Sequence, residues 1–229
     1  MPEYVDAVKQ YAQLGYTTFK FHVWGSIEQD IRLVELIQQT FADSQYGFMI
    51  DLEGAYDLED ALRLGEQIDK GLFVWLEGPV NDELLGQYRE LRSRLTTHII
   101  PAGYSVYSPE FIRSGIEAGA WDAGRFDATV VGGISKALEL LVIANDAEVP
   151  IDIQSWGHSL AQAANLHLTL ANERTRYSEA PMPKEAFEFG MTNGNLLEQG
   201  RFVAPDGPGL GIEVDWDRLA SADFYISSE

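Results

Sequence analysis

Residues 46–79, YGFMIDLEGAYDLEDALRLGEQIDKGLFVWLEGP, decide the fold. Two short apolar runs, 47–50 and 72–76, each stop at a carboxylate, Asp51 after the first and Glu77 after the second. Between them Leu58, Ala61, Leu62, Leu64, Gly65 and Ile68 recur at helical spacing, with Asp57 ahead of them as an N-cap. Strand, helix and strand at this spacing form a βαβ unit, whose two strands lie parallel and adjacent in one sheet. Neighbouring strands are about 4.8 Å apart. Acids at the same end of two such strands can therefore share one cation.

The same alternation runs outward in both directions. Upstream, residues 3–14 read as an amphipathic helix stopped by Gly15, and residues 16–23 (YTTFKFHV) as a strand on which Lys20 and His22 face one side. A helix over 27–41 follows, with Ser26 as its cap. Downstream come a helix over 81–95, a strand at 98–102, a helix at 109–118 and a strand at 121–127 ending in Asp127. Gly132 and Gly133 open a helix over 134–147; a strand at 149–154, a helix at 160–171 and a last strand at 176–179, closed by Glu179, complete the series. After Pro181 and Pro183 the periodicity fades into the turn-rich APDGPGLGIEVDW. The reading is thus one α/β domain over residues 1–185 and an extended tail over 186–229.

Strands alternating with helices of this length predict a parallel sheet covered by helices. Of the seven expected strands, ending near His22, Asp51, Glu77, Ala102, Asp127, Gln154 and Glu179, six close in or next to an ionisable or amide side chain. Polar residues at one end of every strand are the layout of a (β/α)8 TIM-type barrel. An open doubly wound sheet would gather them at a single switch point. Seven strands leave the 16–23 and 176–179 edges unclosed, and open edges invite association, so a homo-oligomer is expected.

Composition narrows the partners. Among 229 residues, 16 Lys and Arg stand against 36 Asp and Glu, a formal net charge of −20. That field opposes nucleic acid and anionic membrane. With no Cys there is neither a thiolate nucleophile nor a Cys-based metal site. No apolar run approaches the roughly 20 residues needed to span a bilayer, and residues 1–16 lack the features of a signal peptide. The expectation is a cytoplasmic protein with a small-molecule ligand.

The order Lys20-x-His22, MIDLEGAY around Asp51, WLEGP around Glu77, FDATVVGGI around Asp127, SWGHSLAQAANLHL and Glu179 resembles the enolase superfamily, in its mandelate racemase-like branch of acid-sugar dehydratases and racemases. The resemblance implies a (β/α)8-type barrel, here apparently without its first strand and N-terminal capping domain. It implies magnesium-assisted removal of the proton next to the carboxylate of a sugar acid, the ion accepting charge that develops on the enolate. Carried over residue by residue, Asp51 and Glu77 match the metal carboxylates, and Tyr104 stands where a third would be. His22 matches the base, Lys20 its partner near the substrate carboxylate, and Asp127 the residue that orients a catalytic His. Gln154 stands where that His would be, so Tyr104 and Gln154 are expected against substrate, and Glu179 matches a glutamate that contacts the substrate. With Tyr104 and Gln154 in place of the third metal carboxylate and the dyad His, the alternative is a non-catalytic or truncated barrel relative. Two plainer readings of single residues stay open as well. Lys20 in a barrel mouth needs a salt link to Asp51 or Glu77 whatever the chemistry, and Asp127 without its His serves equally as a structural hydrogen-bond acceptor. His158 and His167 read as a loop or first-turn residue and as packing.

Overall fold

Strands β1 (Thr18–His22), β2 (Gly47–Asp51), β3 (Phe73–Glu77) and β4 (His98–Ile100) lie parallel in that order. The computed structural model describes residues 1–104, 108–194 and 197–221. The register pairs His22 with Asp51 and Asp51 with Glu77, so the strand ends are level and their polar side chains share one face. Met49, Trp75 and Ile100 lie on that same face and pack with Ala123 and Tyr177. The opposite face, with Ile50, Leu76 and Ile99, packs under α2 (Ile27–Thr40), α3 (Leu58–Ile68) and α4 (Leu85–Arg94). Both faces are covered, which is why these strands read as apolar runs.

Helix α3 shows how the sequence holds this layer together. Asp57 caps it, its Oδ1 accepting the Asp60 N–H at 3.0 Å. Ala61, Leu62, Leu64 and Ile68 form the buried stripe, each large aliphatic side chain contributing about 1.5–3 kcal/mol. Gly65 permits the approach of α4, since a Cβ there would lie 2.3 Å from Leu95 Cδ1. Ser26 occupies the N-cap position of α2 but makes no capping bond. Buried Asp30, inside the helix, reaches back and accepts the N–H groups ahead of it, those of Trp24 at 2.8 Å and Ser26 at 3.3 Å.

Strands β5 (Gly124–Phe126) and β6 (Ile151–Ile153) form a second parallel pair, covered by α5 (Pro109–Ala118) and α7 (Ile134–Asp146). Asp122 joins the two sheets: its N–H donates to the Ile99 carbonyl at 2.9 Å and its Oδ2 accepts the Ile99 N–H at 2.8 Å. The short helix α6 (Ala128–Val131) and α8 (Ser159–Leu170) follow β5 and β6. The seventh expected strand, 176–179, has no regular structure and pairs in no ladder among the described residues. Side chains hold it instead: the Arg176 N–H donates to Asp152 Oδ1 at 3.1 Å, and Glu179 Oε2 accepts the Ser155 N–H at 2.7 Å. A cavity of about 590 Å³ runs between the free edge of β1 and this segment.

The tail is more ordered than a simple extension. It contains a small hairpin, β7 (Leu197–Glu198) with β8 (Arg201–Phe202), and the helix α9 (Trp216–Ala220). The hairpin turn presses on the loop before β1, where Gly15 has φ +95° and a Cβ would come within 2.5 Å of the Gln199 backbone. Among the described residues no helix is long and apolar enough to cross a membrane.

Candidate functional site

The level strand ends place two charged groups on one cavity of about 470 Å³, lined by Lys20, His22, Asp51, Glu53, Tyr104, Gln154, Trp156 and Glu179 among others. The inner group centres on Lys20. Its Nζ donates to Asp51 Oδ2 at 3.2 Å and to both Glu77 oxygens at 3.1 and 3.2 Å, and it pairs with Glu179 Oε1 at 2.6 Å. Burial opposes the Lys20 charge, but Glu179, Glu77 and Asp51 outweigh it and raise its pKa above the ordinary value.

Arg125, on β5, is the functional residue that sequence reasoning missed. It is fully buried, its Nη2 donates to Glu179 Oε1 at 2.6 Å, and its Nε lies 2.7 Å from Glu77 Oε1. That second contact is an ion pair without a hydrogen bond, because the Nε–H points aside. The guanidinium also stands over the Trp75 ring, 5.9 Å from its centroid. Burial opposes ionisation of Glu179, but Arg125 and Lys20 overcome it and hold the carboxyl below its ordinary value. For Glu77 burial prevails and raises the carboxyl above its ordinary value, against the pull of Arg125 and Lys20.

These contacts decide whether the expected magnesium site fits. A carboxylate offers about four lone-pair positions. Glu77 has Lys20 and Arg125 against Oε1, and Lys20 and the Trp75 indole N–H against Oε2. A dication bound there would displace those donors and face two fixed positive charges. Magnesium also wants an octahedron of oxygens with several waters. Tyr104 supplies a phenol whose pKa burial raises, with a Gln154 hydrogen bond opposing that rise. The Asp51–Glu77–Tyr104 set does not fit magnesium.

The outer group lies at the cavity mouth. His22 Nδ1 is 2.8 Å from Glu53 Oε1 and 3.9 Å from Asp51 Oδ2, and the imidazole packs edge-on against Trp156 with ring centroids 5.7 Å apart. Asp51 Oδ1 accepts the Glu53 N–H at 2.9 Å. Gln154 contributes an Oε1 that is buried without a partner among the described residues.

Of the residues expected in the site, Lys20, His22, Asp51, Tyr104, Gln154 and Glu179 line this cavity, and Glu77 lies beneath it against Lys20. Asp127 does not join them. It caps α6, its Oδ1 accepting the Thr129 N–H and hydroxyl, both at 2.7 Å. The position that would orient a catalytic His is thus filled by a helix cap. His158 caps α8, with Nδ1 accepting the Leu160 N–H at 3.3 Å and Nε2 2.8 Å from the Phe189 carbonyl.

Comparison with known proteins agrees with this architecture. The profile of the family described as Enolase C-terminal domain-like matches residues 3–218. A D-galactarolactone cycloisomerase from Agrobacterium fabrum is 26% identical over 216 residues, covering 90% of this chain and 56% of that protein. An arabinonate dehydratase from Saccharolobus solfataricus is 24% identical over 213 residues, 91% of this chain and 56% of its own. Among solved structures, a protein of the mandelate racemase/muconate lactonizing enzyme group from Pseudovibrio sp. superposes with a TM-score of 0.94 at 32% identity, over 98% of this chain and 60% of that one. A racemase from Streptomyces coelicolor with bound magnesium shares the fold at a TM-score of 0.83 and 18% identity, over 96% of this chain and 58% of that one. The chain therefore spans a little over half the length of the proteins it matches.

Proposed function

Since this chain belongs to the enolase C-terminal domain-like family, we propose that it is a relative of the acid-sugar dehydratases and cycloisomerases that keeps their ligand pocket without their metal-assisted proton removal. On this reading residues 1–185 are a barrel-type body and 186–229 its extension. The observation that carries it is the placement of Lys20 and Arg125 among Asp51, Glu77 and Glu179. The three Lys20 N–H donors face three acids, which leaves none for a substrate carboxylate. Gln154 cannot act as a base on the opposite face. The test is incubation with magnesium and a panel of sugar acids in D2O, followed by NMR. The expected result is no deuterium at the α-carbon.

A second reading is a sugar-acid dehydratase, a lyase acting on a small carboxylate. It draws on relatives such as the arabinonate dehydratase and a D-galactonate dehydratase from Cronobacter sakazakii, and on His22, whose imidazole stands on the cavity wall. Imidazole can take up and return a proton near neutral pH, here on one face of the substrate only. Deuterium entering the α-position, lost in His22→Ala and kept in Asp127→Asn, would establish this reading in place of the first. The free edge of β1 supports association into a homo-oligomer. Light scattering checks it, and a monodisperse monomer would refute it.

A further inference from the structure

His22, Asp51 and Glu53 converge at the cavity mouth, where Asp51 borders the Lys20–Arg125 cluster through one bond to Lys20. Their nearest ligand atoms, one imidazole nitrogen and two carboxylate oxygens, all lie within 4.8 Å of one another. Atoms bound to one ion at about 2.1 Å are at most about 4.2 Å apart. The half-exposed Glu53 side chain, 51% accessible, closes that gap by a change of rotamer. Asp51 is fixed for such a role: it is buried, Oδ1 accepts the Glu53 N–H and Oδ2 accepts Lys20 Nζ and faces His22, which leaves one lone pair on each oxygen, whereas both oxygens of Glu77 are surrounded.

A second observation points to a ligand at the same place. Gln154 is only 5% exposed and lines this cavity, and although its side chain bonds Tyr104, its Oε1 has no partner among the described residues. A buried acceptor left unpaired costs about 1–3 kcal/mol, and metal-bound water or the ion itself would satisfy it. Charge points the same way: among the described lining residues Asp51, Glu53 and Glu179 face Lys20, and with Glu179 paired to Arg125 the mouth keeps an acidic excess.

We propose that His22, Asp51 and Glu53 form a site for a divalent cation of borderline softness, such as Mn²⁺, Co²⁺ or Zn²⁺, with water on its open positions. One imidazole beside two carboxylates suits these ions, whereas magnesium prefers oxygen donors throughout. Glu77 takes no part, since its oxygens are already surrounded by Lys20, Arg125 and Trp75. The inference goes beyond the sugar-acid reading and does not depend on turnover.

The test is a titration of the intact chain with Co²⁺, followed by its visible absorption bands and by calorimetry, with Mg²⁺ in parallel. One Co²⁺ should bind per chain and more tightly than Mg²⁺. His22→Ala and Glu53→Gln should each weaken it by at least about tenfold, with circular dichroism showing both variants folded. Independently, Mn²⁺ added to the parent should broaden the ring signals of one of its four histidines, the one whose signals are missing in His22→Ala. Binding that survives both substitutions, an imidazole spectrum unmoved by Mn²⁺, or no binding at millimolar Co²⁺ would overturn the proposal. No substrate is present, so the outcome is separate from the deuterium experiment.

Discussion

Lys20 and His22 stand two residues apart on one strand and face the same way, yet their surroundings differ. Lys20 is enclosed with Glu77, Glu179 and Arg125, and every donor it has is matched by an acid. His22 is 39% exposed beside Glu53, which is half in solvent. Burial makes the difference. A charge removed from water must be fully paired or it destabilises the fold, so the inner group is held together as structure. His22 and Glu53 carry no such obligation and remain free to meet a ligand, while buried Asp51, paired with Lys20, belongs to both groups. Strand-end carboxylates that look equivalent in a sequence thus divide into those that maintain the protein and those that can act.

The largest expected effect lies in the inner group. Arg125→Met leaves Glu77 and Glu179 buried with only Lys20 between them, and removing one partner from such a network costs about 3–5 kcal/mol. Urea unfolding should show that loss; a change below about 1 kcal/mol would mean that solvent already reaches these charges. The pH dependence sharpens the same point. Glu179 is held below its ordinary carboxyl pKa, so on acidification the unfolded chain takes up this proton first. Its stabilisation is complete above the ordinary value, about 4.3, and is lost as pH falls through the folded value. Glu179→Gln should therefore be less stable than the parent at about pH 7, with the gap narrowing toward about pH 3. A gap that widens on acidification would contradict the assignment.

How much of this could be read beforehand follows from the same division. Asp51 and Glu77 were legible as neighbours because two clear apolar runs, a capped helix and the βαβ rule fix their register. The salt link of Lys20 followed from the cost of burying an ammonium. Arg125 was not legible. Its strand has three residues, too few for an alternation that would assign it to a face, and a lone Arg in a short apolar stretch reads as solvent-facing. Residues 176–179 looked like a strand because strand propensity says nothing about partners, and the Arg176 N–H is taken by the Asp152 side chain. Ser26 stands at the N-cap position as read, without a side-chain capping bond, and Asp30 fastens the chain ahead of α2 by accepting the Trp24 and Ser26 N–H groups.

Asp127 lies between the two groups in expected effect. Losing the bonds to Thr129 in Asp127→Ala should destabilise the protein by about 1 kcal/mol, the usual value of an N-cap, while Asp127→Asn, which can still accept those bonds, should lose less. Thermal unfolding compares them. Equal losses in both would mean that the negative charge, and not the cap, is what matters there.

The smallest loss of stability belongs to Glu53, and it separates the two groups most cleanly. Glu53 has φ +50°, a left-handed conformation that costs an ordinary residue roughly 1–2 kcal/mol. Glycine takes that conformation without penalty but brings about 0.4–1 kcal/mol of extra freedom to the unfolded chain. The exposed pair with His22 contributes about 0–1 kcal/mol. In Glu53→Gly these terms oppose one another, so unfolding free energy should fall by no more than about 1 kcal/mol and rise by less than about 2 kcal/mol. The Co²⁺ site, by contrast, should lose a ligand and its affinity. A variant of parental stability that no longer binds the ion would show that the outer carboxylate serves a ligand and not the fold. A loss like that of Arg125→Met would show that the two groups are one network.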